Sequence, residues 1–266
     1  MIDKRATFAE AVSAIPSGSM LALGGMTNYR RPVAFVRSLI QHYQETAEPK
    51  DLTLLCFTAG LESDLLVGAG MVSRVRSCYF GLEIFGLAPM FTHYANRGEI
   101  EVVEETEASL ALGLRATLAG IGFMPARAWI GTDLPKLRSD VKTITDPYTN
   151  ETLMAFPAIA PDVAVIHAIK ADWEGNTVIG KNKGVDQELS AASKNVIVTA
   201  EEVVPKLDEV DLITQFVDAV VHAPQGALPT SCHPLYQIDG EGLLAYVEQV
   251  SDPDSFAAYL PKFLDF

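Results

Sequence analysis

The sequence predicts an α/β fold with an open, mainly parallel sheet covered by helices on both faces. Three observations predict it. Short continuous apolar runs recur at 19–23, 52–57, 161–168, 195–200 and 217–222, the pattern of strands buried on both faces. Helix-like segments alternate with several of these runs, and strand–helix alternation implies parallel pairing. Between the first run and its helix stands Gly24-Gly25. A glycine turn outside the carboxyl end of a strand is where such sheets hold ligands.

Taken in order, residues 8–15 read as a helix with Thr7 as N-cap, ended by Pro16-Ser17-Gly18. The first strand and the glycine turn lead to a helix opened by Pro32, whose missing N–H costs nothing in a first helical turn. After a turn at 48–51 come a strand at 52–57, Gly60 in the loop behind it, and a short helix at 65–69 with Asp64 as the expected N-cap. Strands are predicted at 75–80 and 99–104, with a helix at 88–97 between them. Residues 107–118 form a strong helix, because Leu110, Leu114 and Leu118 recur every fourth residue and share a face. The stretch 140–156 holds Asp146-Pro147-Tyr148-Thr149-Asn150 between two short β-like runs, which predicts a hairpin excursion. Then come the strand at 161–168, a turn at 172–176, a helix at 187–193, strands at 195–200 and 217–222, and a loop at 224–232. Helices at 242–250 and 253–260 close the chain, the second stopped by Pro261. No linker, low-complexity segment or fixed-period repeat divides the 266 residues, so one domain is expected.

Composition narrows the function classes. A net charge of −14 makes nucleic acid and anionic membranes poor partners. No apolar run is long enough to span a bilayer, and the first residues carry no apolar signal core. Three widely spaced cysteines, Cys56, Cys78 and Cys232, predict reduced thiols in a cytoplasmic protein rather than a disulfide framework. No Cys/His cluster has zinc spacing, so no metal is expected.

The glycine turn is not a nucleotide fingerprint. No third glycine follows Gly24-Gly25 at the dinucleotide offset, and no Gly-Lys-Ser/Thr follows either. Paired glycines nonetheless let the backbone approach a ligand and leave N–H groups unshielded. Arg30 and Arg31 follow, cations where the helix dipole disfavours them, so a solvated helix start accounts for one of them more readily than for both. His167, in a buried strand, reads as a satisfied structural histidine, and Cys232 as loop packing.

In order and spacing these motifs resemble the A (alpha) subunit of family I CoA-transferases, the glutaconate CoA-transferase type above all. The resemblance covers nearly the whole chain. It rests on Gly24-Gly25-Met26 with Arg30-Arg31-Pro32, on Asp64-Leu65-Leu66-Val67-Gly68-Ala69-Gly70, on Pro161-Asp162-Val163-Ala164-Val165-Ile166-His167-Ala168 with Ala171-Asp172 and Gly175-Asn176, and on Gly226-Ala227-Leu228-Pro229-Thr230-Ser231-Cys232. It implies a sheet domain of the kind shared with sugar-phosphate isomerases, paired with a similar B (beta) subunit in an α2β2-type hetero-oligomer, with the active site between the two chains. In the transferases a B-chain glutamate within a Ser-Glu-Asn-Gly-like motif attacks the acyl-CoA thioester. This sequence lacks that motif, so the nucleophile would come from the partner.

The resemblance also implies roles. Gly24, Gly25 and Met26, with Thr27, Asn28 and Gly60 beside them, are expected to shape the site or to donate N–H groups to the developing oxyanion, typically worth roughly 2.7–4 kcal/mol per donor. Arg30 and Arg31 are expected to pair with a substrate carboxylate or CoA phosphate. Glu107 opens a helix, where the dipole alone accounts for a carboxylate. In the A subunits of steroid ring-cleaving hydrolases a glutamate at the matching place is catalytic, which makes Glu107 the candidate catalytic residue, with Glu104 and Glu105 close by. The expected reaction is CoA transfer between an acyl-CoA and a small acid, dicarboxylates included. Ring-opening acyl-CoA hydrolysis and glutaconyl-CoA-type decarboxylation are the alternatives, and a non-enzymatic sensor is the weakest. No cofactor is expected, coenzyme A being part of the substrate.

Overall fold

Residues 2–265 of the computed structural model are described, and the elements below are counted among them. In chain order they are β1 (Arg5–Ala6), α1 (Phe8–Ser13), β2 (Met20–Leu23), α2 (Val33–Thr46), β3 (Leu52–Cys56), α3 (Leu61–Gly68), β4 (Val72–Ser77), α4 (Pro89–Arg97), β5 (Glu101–Glu104) and α5 (Glu107–Leu118). There follow β6 (Phe123–Ala126), α6 (Leu134–Leu137), β7 (Lys142–Thr145), β8 (Thr152–Pro157), β9 (Val163–Asp172), β10 (Thr177–Val178), α7 (Asp186–Ala192), β11 (Asn195–Val204), β12 (Ala219–His222), α8 (Gly240–Gln249) and α9 (Pro253–Leu264).

The main sheet runs β1-β12-β11-β9-β2-β3-β4-β5, every neighbouring pair parallel, with β10 antiparallel beside β9. The period-two alternation of each strand feeds two cores. Leu21, Leu23, Leu52, Leu54, Val163 and Val165 face one layer with α1, α2, α3, α8 and α9. Ala22, Leu55, Ala164, Ile166, Val196 and Val198 face the other, with α5 and α7. Chain order runs from β2 outward to β5, then restarts at β9 on the other side of β2 and runs outward to β12. The sheet therefore reverses its winding between β2 and β9, and the carboxyl ends at such a switch point border a crevice.

The excursion is a separate antiparallel sheet, β6-β8-β7, with a small core of Trp129, Val141, Met154 and Phe156. The predicted hairpin is its β7–β8 half. Trp129 Nε1 donates to Thr106 Oγ1 at 2.8 Å, fastening the excursion to the start of α5.

Three expectations are corrected. Asp64 does not cap its own helix: Gly60 stands at that N-cap, and Asp64 lies fully buried inside α3. Its carboxylate accepts Met90 N (3.1 Å), Phe91 N (2.6 Å) and Tyr246 Oη–H (2.6 Å), so it caps α4 from outside and ties α3, α4 and α8 together. Pro261 does not stop α9, which continues to Leu264. One lost N–H near a helix end is outweighed by burying Phe263 and Leu264. Leu118 is exposed although Leu110 and Leu114 are buried, so the every-fourth-residue face does not stay covered to the end of α5.

Candidate active site

The glycine turn sits at the switch point. Gly24 N donates to Val165 O at 2.9 Å, carrying the β2–β9 ladder one residue further. Gly25 then takes φ +86°, and a Cβ there would lie 2.5 Å from the Arg30 carbonyl oxygen, so no other residue fits. Met26 and Tyr29 exchange backbone hydrogen bonds at 2.9 Å and close a tight loop, in which Thr27 (φ 49°) and Arg30 (φ 52°) adopt left-handed conformations that L-residues avoid.

Three neighbouring loops hold this strained turn. Behind β3, Thr58 Oγ1 accepts Thr27 N at 2.8 Å, and Gly60 leaves room for the turn, since a Cβ there would sit 3.3 Å from Thr27 O. Behind β4, Leu82 O accepts Asn28 Nδ2 at 3.3 Å. Behind β12, Ser231 O accepts Arg30 N at 2.8 Å, and Ser231 N donates to Asn28 O at 2.9 Å. Gly24, Gly25, Met26, Thr27, Asn28, Arg30, Arg31 and Gly60 thus come together, but several of their functional groups are engaged elsewhere.

The expected oxyanion donors are occupied. Gly25 N–H points at the Asp186 carboxylate, 3.0 and 3.2 Å from its oxygens, while Gly24 N–H and Met26 N–H serve Val165 O and Tyr29 O. In this arrangement these residues supply shape rather than free donors. The arginines are corrected likewise. Arg30 is fully buried: Nη1 donates to His167 O (2.7 Å), and Nη2 to Asn182 O (2.9 Å) and Asp186 Oδ2 (2.8 Å). Arg31, also fully buried, pairs with Glu62, whose Oε1 also accepts Ser63 Oγ–H at 2.6 Å. Both cations are neutralised by internal carboxylates, which removes the conflict with the helix dipole and leaves no surface cation for a substrate acid. Buried turn atoms without a hydrogen-bond partner among the described residues are Asn28 Oδ1, Arg30 Nε, and Arg31 Nε and Nη1. Of these three residues only Asn28 touches solvent, at 8% exposure.

The glutamates after β5 separate by environment. Glu105 is buried in a clamp with Arg76 Nε (2.6 Å), Arg138 Nη1 (2.9 Å) and Ser109 Oγ. Glu107 is exposed in the first turn of α5, behind a Thr106–Ser109 capping box, and makes no hydrogen bond or ion pair among the described residues. It lies on the same edge of the sheet as the glycine turn. Burial, then the charges of Glu105 and Glu107, push the Cys78 thiol up to about 12.

His167, Glu201 and Cys232 are the described residues whose donor atoms cluster closely enough to surround a metal ion, within 4.8 Å of one another. Their lone pairs are already used. His167 Nδ1 lies 2.9 Å from Thr199 Oγ1 and Nε2 lies 2.8 Å from Glu201 Oε1, while Glu201 also accepts Gln225 N (2.6 Å) and Tyr236 Oη–H. Burial lowers the pKa of His167 and raises the Cys232 thiol to about 12, and the Arg30 charge acts on both groups. That surrounding suits a hydrogen-bonded tie between β9, β11 and the 223–236 loop. Cys56, buried and raised to about 11, is held as an unreactive thiol.

Sequence reasoning missed Asp186, Glu62 and Glu201, and named Glu105 only as a neighbour of Glu107. Each earns its place through a contact far along the chain, which no local pattern announces. Three cavities of about 260, 290 and 350 Å³ lie elsewhere, and the turn lines none of them. The turn instead opens onto the surface at the carboxyl edge of the sheet.

Comparison with known proteins agrees with this architecture. The family model described as coenzyme A transferase matches residues 5–223. The A chain of 3-oxoadipate CoA-transferase from Pseudomonas knackmussii is 34% identical over 97% of this chain and 92% of its own length. The cholesterol ring-cleaving hydrolase IpdA subunit of Rhodococcus jostii is 31% identical over 98% and 92%. An uncharacterised protein of Archaeoglobus fulgidus is 35% identical over 99% of this chain, which spans 60% of that protein's length. Among solved structures, glutaconate coenzyme A-transferase from Acidaminococcus fermentans superposes with a TM-score of 0.90 at 28% identity, covering 99% of this chain and 89% of its own. The decarboxylase AibA/AibB superposes with a TM-score of 0.87 at 30% identity, covering 98% and 100%. By its sequence, its sheet and the position of its glycine turn, the chain belongs to the coenzyme A transferase family.

Proposed function

We propose that this chain is the A half of a two-chain enzyme that moves coenzyme A between an acyl-CoA thioester and a small carboxylic acid. The observation that carries the reading is the glycine turn at the switch point, rigidly held yet without an attacking group of its own. The nearby thiols are raised, both arginines are ion-paired, and the turn's N–H groups point inward. Such a wall positions a thioester and excludes water while a B-chain carboxylate attacks the acyl carbon and expels the CoA thiolate. Met26, Thr27 and Asn28 form the part that meets substrate, Met26 and Thr27 being its half-buried, solvent-reaching members. A cytoplasmic location follows from the reduced thiols and from acyl-CoA as the substrate.

One observation favours a second reading, hydrolysis of a cyclic oxo-acyl-CoA. Glu107 is an exposed carboxylate without a fixed partner on the same edge as the turn, placed to take a proton from water. Co-expression with the cognate B chain separates the two. Transfer predicts exchange of labelled acid into acyl-CoA and a borohydride-sensitive thioester on the B chain. It also predicts that Glu107→Gln retains activity within about threefold. Hydrolysis predicts a ring-opened acyl-CoA that gains a carboxylate and keeps its thioester, without exchange, and a loss of about 100-fold or more on Glu107→Gln. CO2 release without either marks the decarboxylase alternative.

A further inference from the structure

The loop after β4 turns its apolar side chains outward. Ile84 is 93% and Leu87 69% exposed, the extreme values among the aliphatic residues of this edge. This loop is not slack. Leu82 N donates to Gly86 O (2.9 Å), Phe85 N to Leu82 O (3.1 Å) and Gly86 N to Glu83 O (3.2 Å), and Glu83 N reaches Tyr79 Oη at 3.1 Å. Glu83 is held at φ +57°, a left-handed conformation in a non-glycine residue. From below, the Phe85 ring packs against Gly240 and Gly86 faces Val247, both on α8. Leu244, between them on that helix face (i+4 from one, i−3 from the other), is 45% exposed. Phe80 stacks on Phe91 at 4.0 Å, and Asp64 fixes the start of α4, so the base is pinned too. A strained, internally hydrogen-bonded turn that presents an aliphatic tip to water is a preorganised anchor.

We infer that Ile84, with Leu87 and Leu244, is the knob that seats the B chain beside the glycine turn. The inference rests on the reading of this chain as one half of a two-chain enzyme. Continuity with the site argues for that occupant, since Leu82 at the root of the knob receives Asn28 of the turn. Charge points to the character of the partner. Segments 79–96 and 234–249 contain Glu83, Asp239, Glu241 and Glu248 and no lysine or arginine. The complementary socket on the B chain is therefore apolar and rimmed by basic residues. Seating the knob closes the active site at the same moment as the chains join.

The test uses the co-expressed complex with a benzophenone side chain at position 84, and a control at Ile130, which is 48% exposed on the excursion. The expected result is a covalent adduct between this chain and the B chain from position 84 and none from 130. Ile84→Asp is expected to raise the A–B dissociation constant at least 100-fold without moving the melting temperature of this chain. Adducts between two copies of this chain, or no adduct from an intact complex, overturn the inference. An active complex lacking the adduct refutes the knob and leaves the proposed function standing. An adduct in a complex without CoA transfer supports the knob and refutes that function.

Discussion

Replacing Asp186 tests how the glycine turn is held. This carboxylate is 1% exposed and carries two loads, the Arg30 guanidinium at 2.8 Å and Gly25 N–H at 3.0 Å. Asp186→Asn keeps an acceptor for Gly25 but removes the charge that balances a fully buried arginine, whose bonds to the carbonyls of His167 and Asn182 survive. Losing one member of a buried pair costs about 3–5 kcal/mol. Asp186→Ala also strands the Gly25 N–H, for roughly a further 1 kcal/mol or more. At about 2–4 °C per kcal/mol for a chain of this size, thermal unfolding of the complex is expected roughly 6–20 °C lower for Asn and lower still for Ala. The double variant Arg30→Met, Asp186→Asn removes both charges and is expected to recover most of the loss. An Asp186→Asn protein melting within about 2 °C of the parent, or a double variant worse than the single, would show that the pair does not brace the turn.

Two other predictions follow from the same geometry. Gly25→Ala meets the Arg30 carbonyl at 2.5 Å in a left-handed conformation, so a loss of about 3 kcal/mol and at least tenfold lower CoA exchange are expected, read by melting and by turnover of the complex. Asp64, whose pKa burial raises to about 6, binds its proton more tightly folded than unfolded. Its contribution is therefore full below about pH 4 and lost as pH rises through about 6, on the order of 3 kcal/mol across that window. Urea titrations at pH 4 and pH 7 should show Asp64→Asn gaining on the parent as pH rises, and a pH-independent difference would contradict the assignment.

Much of the sheet is legible in the sequence because its central strands are buried on both faces. Met20–Leu23, Leu52–Cys56 and the first part of Val163–Asp172 therefore spell largely apolar runs. The α5 boundary is readable from Glu107 because Thr106 builds a real cap. Val72–Ser77 begins three residues before the predicted strand, since Arg74 and Arg76 face a polar cleft with Arg138 rather than a helix. The two-residue β1 and β10 are too short to leave a pattern. In the site, the turn and its arginines stand out by composition, but their commitments do not. Arg30 meets Asp186 156 positions away, and Arg31 meets Glu62 31 positions away. Only the folded sheet brings those carboxylates beneath the turn, and with them the reassignment of both arginines from substrate contacts to supports.

The adjacent arginines have an architectural consequence. Arg30 reaches into the layer of α7 and Arg31 into the layer of α3, so one dipeptide rivets the turn through the sheet to the helices on both sides. A turn fastened in two directions tolerates little drift. On the proposed reading, variation in acyl choice would then fall to the rim: the loops behind β4 and β12, the mouth around Met26 and Thr27, and whatever surface closes over them.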